Sequence, residues 1–377
     1  MLAGAPQPLS CLPVATGWGA ITACTLVIAG GETRRYILAV AMAARALQVV
    51  YLLWAPLGEA VVRRFADSYR ANPAGVPHQL VVVCNGFSGR DDSRLTAARR
   101  VLDGIEHTTI SIDPPVLDIA AYRIAAERLA PARCCFLNSF STILAPGWLA
   151  HLGGALDATD VGLVGASGSW GSMRSFVRFQ FGLGGPYSRA FADRRTTTRI
   201  LASIAQRNLS SQSPAGSLVP KLRTLQAIVT LQTVRSSVAQ TRGFRTFPAP
   251  HVRSTGFMID SETIAQLDLG SLGTKMETYR IESGAASITR QVQRLGMRTL
   301  VVDRDGRQFE PGEWPSSHTF WQGRQEKLML ADKQTEHYEV VDAAGRAVLS
   351  GFAWGELADP RRSDAEAASA PSGSAVR

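Results

Sequence analysis

An α/β protein with a mostly parallel central sheet and helices on both of its faces is the fold class that this sequence predicts. Three observations carry the prediction. Short apolar runs such as Gln79-Leu-Val-Val-Val-Cys84 lack alternation, as strands buried on both faces do. Segments of helical spacing separate these runs at intervals that suit crossover connections. Turn residues, among them Ala55-Pro56-Leu57-Gly58, Asn72-Pro73 and Asn85-Gly86, mark the changes from one to the other.

In chain order, Gln48 to Trp54 predicts a strand, and Leu57, Val61, Val62, Phe65 and Tyr69 predict a helix. Strand Gln79–Cys84 follows, then helix Asp91–Leu102, strand Thr108–Ile112, a helix opened by Asp118 and running to Leu129, and strand Cys134–Leu137. Trp148 begins a further helix, Val161–Val164 is a strand and Gly165–Gly171 a loop. Ser254–Ile259 then predicts a strand, Ser261 a helix start, Ser287–Leu295 a helix and Arg298–Val302 a strand. In such sheets ligands bind beyond the carboxyl ends of the strands, which puts Asn85, Asp118 and Asn138 on one rim.

The chain divides into an N-terminal extension, residues 1–47, a domain at 48–355 and a disordered tail at 356–377. Leu12 to Gly31 is uncharged and of membrane-span length, but Pro13, the many Gly, Ala and Thr residues and the lack of a preceding cation favour a loosely ordered extension, or a start assigned too far upstream. Five cysteines without a C-x-x-C pair argue for a reducing compartment and against a zinc site. Residues 171–247 carry twelve Lys or Arg and one acid, a net +11 within a chain of net +9. They read as a basic helical insertion that meets an anionic membrane surface or acceptor. Neither interleaved aromatics nor a nucleic-acid motif accompanies them, so nucleic acid is not expected as a partner.

Val161-Gly-Leu-Val-Gly-Ala-Ser-Gly168 places glycines after a strand as a dinucleotide-binding loop does, but it follows several crossover units instead of opening the domain. The chain also lacks the Tyr-x-x-x-Lys pair of a short-chain dehydrogenase. A nicotinamide enzyme is therefore set aside.

More specific is Cys135-Phe-Leu-Asn-Ser-Phe-Ser-Thr-Ile-Leu-Ala-Pro-Gly-Trp-Leu149, a strand, a polar turn, Pro-Gly-Trp-Leu and a helix. It resembles the GT-A glycosyltransferase signature in which an Asp-x-Asp pair holds a divalent cation against a nucleotide diphosphate. Here the two positions are Asn138 and Phe140, and a phenyl ring ligates no metal. The resemblance with this degenerate motif implies no certain cofactor, no metal ligand set, and diphosphate charge met by Arg290 or Arg324. Val81-Val-Val-Cys-Asn-Gly86 and Leu117-Asp-Ile-Ala-Ala-Tyr122 are similar to the first half of the same family, the second in the manner of rhamnan-synthesis-like and other surface-polysaccharide transferases.

The resemblance spans about Gln48 to Gly355 and implies roles for several residues. Asp118, with Asn85, would hold the nucleoside; as a bare sequence position Asp118 also suits a helix N-cap. Asn138 and Ser139 would line the donor site. In Tyr279-Arg-Ile-Glu-Ser-Gly-Ala-Ala-Ser-Ile-Thr-Arg290, Glu282 would be the base that deprotonates the acceptor, or else a helix-start charge. Asp260 and Asp303 are the other acids near strand ends. Trp170 and Trp321 would meet the acceptor, Trp321 within the aromatic loop Trp314–Gln325, which also reads as a plain surface loop.

The expectation is a glycosyltransferase that moves a sugar from a nucleotide-diphospho-sugar to a glycan or lipid-linked acceptor in bacterial surface polysaccharide synthesis, with inversion. It would work in the cytoplasm, peripherally at the inner membrane face. The rival is a non-catalytic GT-A-like protein that binds glycans or assists their assembly.

Overall fold

The computed structural model describes residues 46–89, 91–181, 183, 187 and 239–355. The extension up to residue 45, most of the basic insertion and the tail lie outside the described residues. Strand β1 (Ala46–Trp54) is followed by α1 (Glu59–Ala71), β2 (Gln79–Asn85), α2 (Ser93–Val101), β3 (Thr108–Ile112), α3 (Asp118–Leu129) and β4 (Ala132–Leu137). Then come β5 (Thr142–Ile143), α4 (Trp148–Leu156), β6 (Val161–Gly165), β7 (Gly168–Ser169), α5 (Met173–Gln180), β8 (His251–Val252), β9 (Gly256–Asp260) and the single turn α6 (Ser261–Ile264). The remaining elements are α7 (Lys275–Ser283), α8 (Ile288–Arg294), β10 (Arg298–Val302), β11 (Gln308–Phe309), β12 (Leu330–Ala331), α9 (Lys333–Val340) and α10 (Ala343–Trp354).

Eight strands form one sheet in the order β11-β10-β6-β9-β4-β1-β2-β3. Pairings β1–β2, β2–β3, β1–β4 and β6–β10 are parallel, and β9 runs antiparallel to both β4 and β6. The sheet is covered on both faces, as continuous apolar strands require. Side chains alternate along β1: Val49, Tyr51 and Leu53 join Phe65 of α1, Leu95 of α2 and Trp148 of α4 in one core cluster. Val50 and Leu52 join Ile119 and Tyr122 of α3 and Val292 of α8 in the other. Adjacent Cys134 and Cys135 fall on opposite faces for the same reason, and burial pushes the Cys84 and Cys134 thiols up to about 11 and 12.

The glycines of the Val161–Gly168 segment serve packing. A Cβ on Gly165 would meet Val252 Cγ1 at 2.3 Å, and one on Gly168 would meet the Trp314 ring at 2.7 Å. The described helices include none long and apolar enough to cross a membrane. Two parts of the sequence reading need correction. The loop expected at Gly165–Gly171 contains β7, and α7 went unread as a helix because its apolar positions are few.

Candidate functional site

Connections leave β1 towards β2 on one side and return to β4 on its other side, so the strand order reverses between β1 and β4. Crevices open at the carboxyl ends of strands at such a switch point. Here the crevice holds two cavities. The larger, about 630 Å³, is bounded by Trp54 after β1, Gly86 after β2, the Pro115–Asp118 stretch, Ser139 after β4 and Ser271–Gly273 ahead of α7. The smaller, about 290 Å³, is bounded by Ser169, His251, Arg253, Glu282 and Trp321. Asp118, Asn138, Phe140 and Lys275 line both, so the cavities meet there. Because β9 is reversed, Gly256 at its start pairs with Leu137 at the end of β4, and this brings Ser254 and Thr255 to the same rim.

Glu282 is the second-last residue of α7, where a negative charge opposes the helix dipole. The helix-start reading is thereby corrected. Ser254 Oγ donates a hydrogen bond to its carboxylate. Behind it Ile119, Leu163, Val252 and Phe257 border a void of about 10 Å³ that is otherwise apolar apart from Ser254. Burial and then the Asp118 carboxylate push Glu282 up to about 7, while Lys275 and Ser254 pull it partly back. A carboxylate poised near neutrality facing a cavity is suited to accept a proton.

Asp118 is the first residue of α3 and not its N-cap, which is Leu117; its Oδ1 accepts from the Ile119 amide at 3.2 Å. Lys275 Nζ lies 3.8 Å from Asp118 Oδ2 and 5.0 Å from the centroid of the Tyr279 ring. Burial opposes the Lys275 charge, but Asp118 and Glu282 together outweigh it and raise its affinity for a proton.

Two further groups complete the smaller cavity. Arg253, buried, donates to Asp332 Oδ2 at 2.6 Å, Gln334 Oε1 at 2.8 Å and Ser167 Oγ at 3.2 Å, with its guanidinium 3.9 Å from the Phe320 centroid. His251 Nδ1–H donates to the Ala249 carbonyl at 2.8 Å, and burial pushes the ring down to about 4, so it is neutral at physiological pH.

The structure brings Asp118, Asn138, Ser139, Asn85, Glu282 and Trp321 to the crevice and leaves Trp170, Arg290 and Arg324 out of it. The Asn85 side chain donates to the Val116 carbonyl at 2.8 Å and accepts from the Val116 amide at 3.0 Å, so its polar atoms clip the loop ahead of Asp118. Ser139 Oγ donates to the Leu52 carbonyl at 2.7 Å. Trp321 stacks on Phe320 and donates to the Gln334 carbonyl at 3.1 Å, presenting little surface to the cavity. Trp170 donates to the Pro311 carbonyl at 2.9 Å and packs on Trp354. Arg290 sits on α8, where burial and then Arg245 and Arg294 lower its proton affinity, and Arg324 lies on the exposed turn that binds Glu326. The cations that line the crevice are instead Arg253, Lys275 and Lys333 at the smaller cavity and Arg123, with Lys275 again, at the larger. Only Lys275 left a trace in the sequence: Lys275, Tyr279 and Glu282 have the i, i+4, i+7 spacing of one helix face.

A divalent cation does not fit these residues. Asn138 Oδ1 already accepts from the Phe140 amide at 2.8 Å and Ser141 Oγ at 3.3 Å, and Phe140 has no ligand atom. Asp118 and Asp332 are held by Lys275 and Arg253. Among the described residues no group of three or more His, Cys, Asp or Glu is arranged to hold a metal ion.

Fold and crevice together define an α/β protein with a two-chambered crevice at the switch point of its sheet. No protein-family model matches the sequence, and no curated protein matches it. Among solved structures, the chain is similar to glucosyl-3-phosphoglycerate synthase from Mycobacterium tuberculosis in complex with Mn2+, uridine diphosphate and glucosyl-3-phosphoglycerate, at 14% identity over 69% of each chain and a TM-score of 0.33. It is also similar to galactosyltransferase LgtC in complex with donor and acceptor sugar analogues, at 12% identity over 68% of this chain and 73% of that one, with a TM-score of 0.34. At such identities the chemistry has to be read from this chain's own residues.

Proposed function

We propose that the protein is a GT-A-type glycosyltransferase that transfers a sugar from a nucleotide-diphospho-sugar, with inversion. The observation that carries this reading is the position of Glu282: a carboxylate poised near neutrality, facing the smaller chamber and coupled through Lys275 and Asp118 to the larger one. The larger chamber, with Trp54 and Asp118 on its wall, suits a nucleoside, and the junction suits the diphosphate. In the smaller chamber Glu282 takes the proton of an acceptor hydroxyl as its oxygen bonds to the anomeric carbon. The bond from that carbon to the diphosphate breaks, and its electron pair leaves with the nucleoside diphosphate.

The acceptor in this reading is a glycan or lipid-linked sugar of bacterial surface polysaccharide synthesis. The basic residues of 171–247 are proposed to meet its anionic group or an anionic leaflet, at about 1 kcal/mol per cation near the surface. A cytoplasmic protein peripheral to the inner membrane would follow. The rival, a non-catalytic glycan-binding protein, is favoured by the loss of the metal-binding carboxylates at Asn138 and Phe140. Turnover of a nucleotide-sugar panel by purified protein separates the two; binding of donor without transfer to any acceptor would support the rival.

A further inference from the structure

No step of the proposed transfer uses His251, although it lines the same chamber as Glu282. Its ring is half-buried, set low in the wall with part of its surface open. Nδ1 lies 2.8 Å from the Ala249 carbonyl, which can only accept, so Nδ1 carries the proton and Nε2 the lone pair. No described residue donates to that lone pair. We propose that His251 Nε2 binds the acceptor by taking a hydrogen bond from one of its sugar hydroxyls, a different one from the hydroxyl that meets Glu282. This inference rests on the glycosyltransferase reading only in taking the smaller chamber as the place of the acceptor.

The geometry narrows what such a lone pair can meet. A phosphate or carboxylate oxygen would set one lone pair against another, so an anionic group is repelled there. A cationic group is opposed by Arg253, whose charge already acts on the ring. A metal ion would need further ligands, and the described residues bring no three His, Cys, Asp or Glu together to supply them. A neutral donor remains, and the hydroxyls of a sugar are of this kind. Burial holds the ring at about 4 in spite of its bond to Ala249, so the lone pair stays available at physiological pH. The residue is also fixed in place. His251 pairs with Ser169 across β7 and β8, and the next amide, that of Val252, donates to Thr289 Oγ1 of α8 at 2.8 Å. Two fixed hydrogen-bond acceptors, Glu282 and His251, would together select which hydroxyl of the sugar lies against the base.

The test is nitrogen NMR of the full chain labelled with 15N-histidine, titrated with the methyl glycosides of glucose, galactose, mannose, rhamnose and N-acetylglucosamine. The His251 signals are identified by their loss in His251→Gln. At pH 7 Nδ1 should carry a proton and Nε2 none. At least one glycoside should move the Nε2 signal in the direction of a hydrogen-bonded lone pair, and inorganic phosphate at equal ionic strength should not. His251→Leu should weaken that glycoside by ~3–10-fold, the range of one lost neutral hydrogen bond, while His251→Gln, whose Oε1 also accepts, should keep most of the binding. One deoxy form of the glycoside should bind wild type as weakly as the parent binds His251→Leu, and should lose nothing further in that variant, a result that damage to the fold would not give. A protonated Nε2 at pH 7, an Nε2 signal that no glycoside moves, or equal affinity in wild type and His251→Leu overturns the inference. Sugar binding at His251 with no transfer from any nucleotide-sugar upholds it and overturns the glycosyltransferase reading in favour of the glycan-binding rival. Transfer to a glycoside that leaves the Nε2 signal unmoved does the reverse.

Discussion

Lys275 and Asp118 are the first residues of α7 and α3, and their side chains meet at 3.8 Å where the two chambers join. The contact ties the helix that carries Glu282 to the helix that borders the larger chamber. The Lys275 ammonium thereby acts on two carboxylates, Asp118 at the junction and Glu282 in the smaller chamber.

Glu282→Gln keeps the shape of the side chain and its capacity to accept from Ser254, but removes the basic carboxylate. Transfer should fall by ~100-fold or more, the usual contribution of a general base, with donor affinity nearly unchanged. Wild-type kcat/KM should decline below a midpoint at about 7 as the carboxylate becomes protonated, and the variant should lack that limb. A wild-type profile flat from pH 5 to 8 would remove Glu282 from the reaction.

The same residue predicts a stability difference of known sign. Its folded-state value, about 7, lies above the ordinary 4.5, so between these values the folded state binds more protons than the unfolded state. Stability therefore falls as pH rises through that window, and the full cost is present above about 7. Glu282→Gln should raise Tm at pH 8 by roughly 2–4 °C and by less at pH 5. A lower Tm at pH 8 would mean that the carboxylate stabilises the fold.

Asn85→Ala removes both bonds to the Val116 backbone. Leaving those buried groups unpaired should cost ~1–3 kcal/mol and loosen the loop that presents Asp118. Affinity for the nucleoside moiety should drop while the acid limb near neutrality persists. If stability and nucleoside affinity both match wild type, the clip does not hold that loop.

Asp332→Asn leaves the buried Arg253 guanidinium without its carboxylate. Breaking a buried pair from one side costs ~3–5 kcal/mol, to be read by urea denaturation. Replacing both, as Arg253→Met with Asp332→Leu, should recover much of the loss. A single variant within ~0.5 kcal/mol of wild type, the range of an ordinary surface substitution, would show that the pair is solvated.

The sheet was legible because β1, β2, β4, β6 and β10 are buried on both faces and need unbroken apolar runs. The rim followed from the strand ends, which placed Asn85, Asp118 and Asn138 correctly. Cations were harder. Arg290 and Arg324 stood close to motif residues in the sequence, whereas Arg253 and Lys333 reach the crevice through β8–β9 and the α9 N-terminus, whose positions depend on tertiary packing. Helix α7 was missed because only Ile281 and Thr278 are buried along it, too few to set a helical period.

Strand β9 has a bearing on how the chain is made. It occupies the middle of the sheet, yet it is synthesised about 120 residues after its neighbour β4 and about 90 after β6. A ribosome-bound chain that stops short of Gly256 also lacks β10, and so carries one bare edge on β4 and two on β6 that the finished protein covers, each able to recruit a foreign strand. The nascent polypeptide has its greatest need of a chaperone over that interval, and a truncation anywhere within it should give inclusion bodies instead of a soluble half-domain.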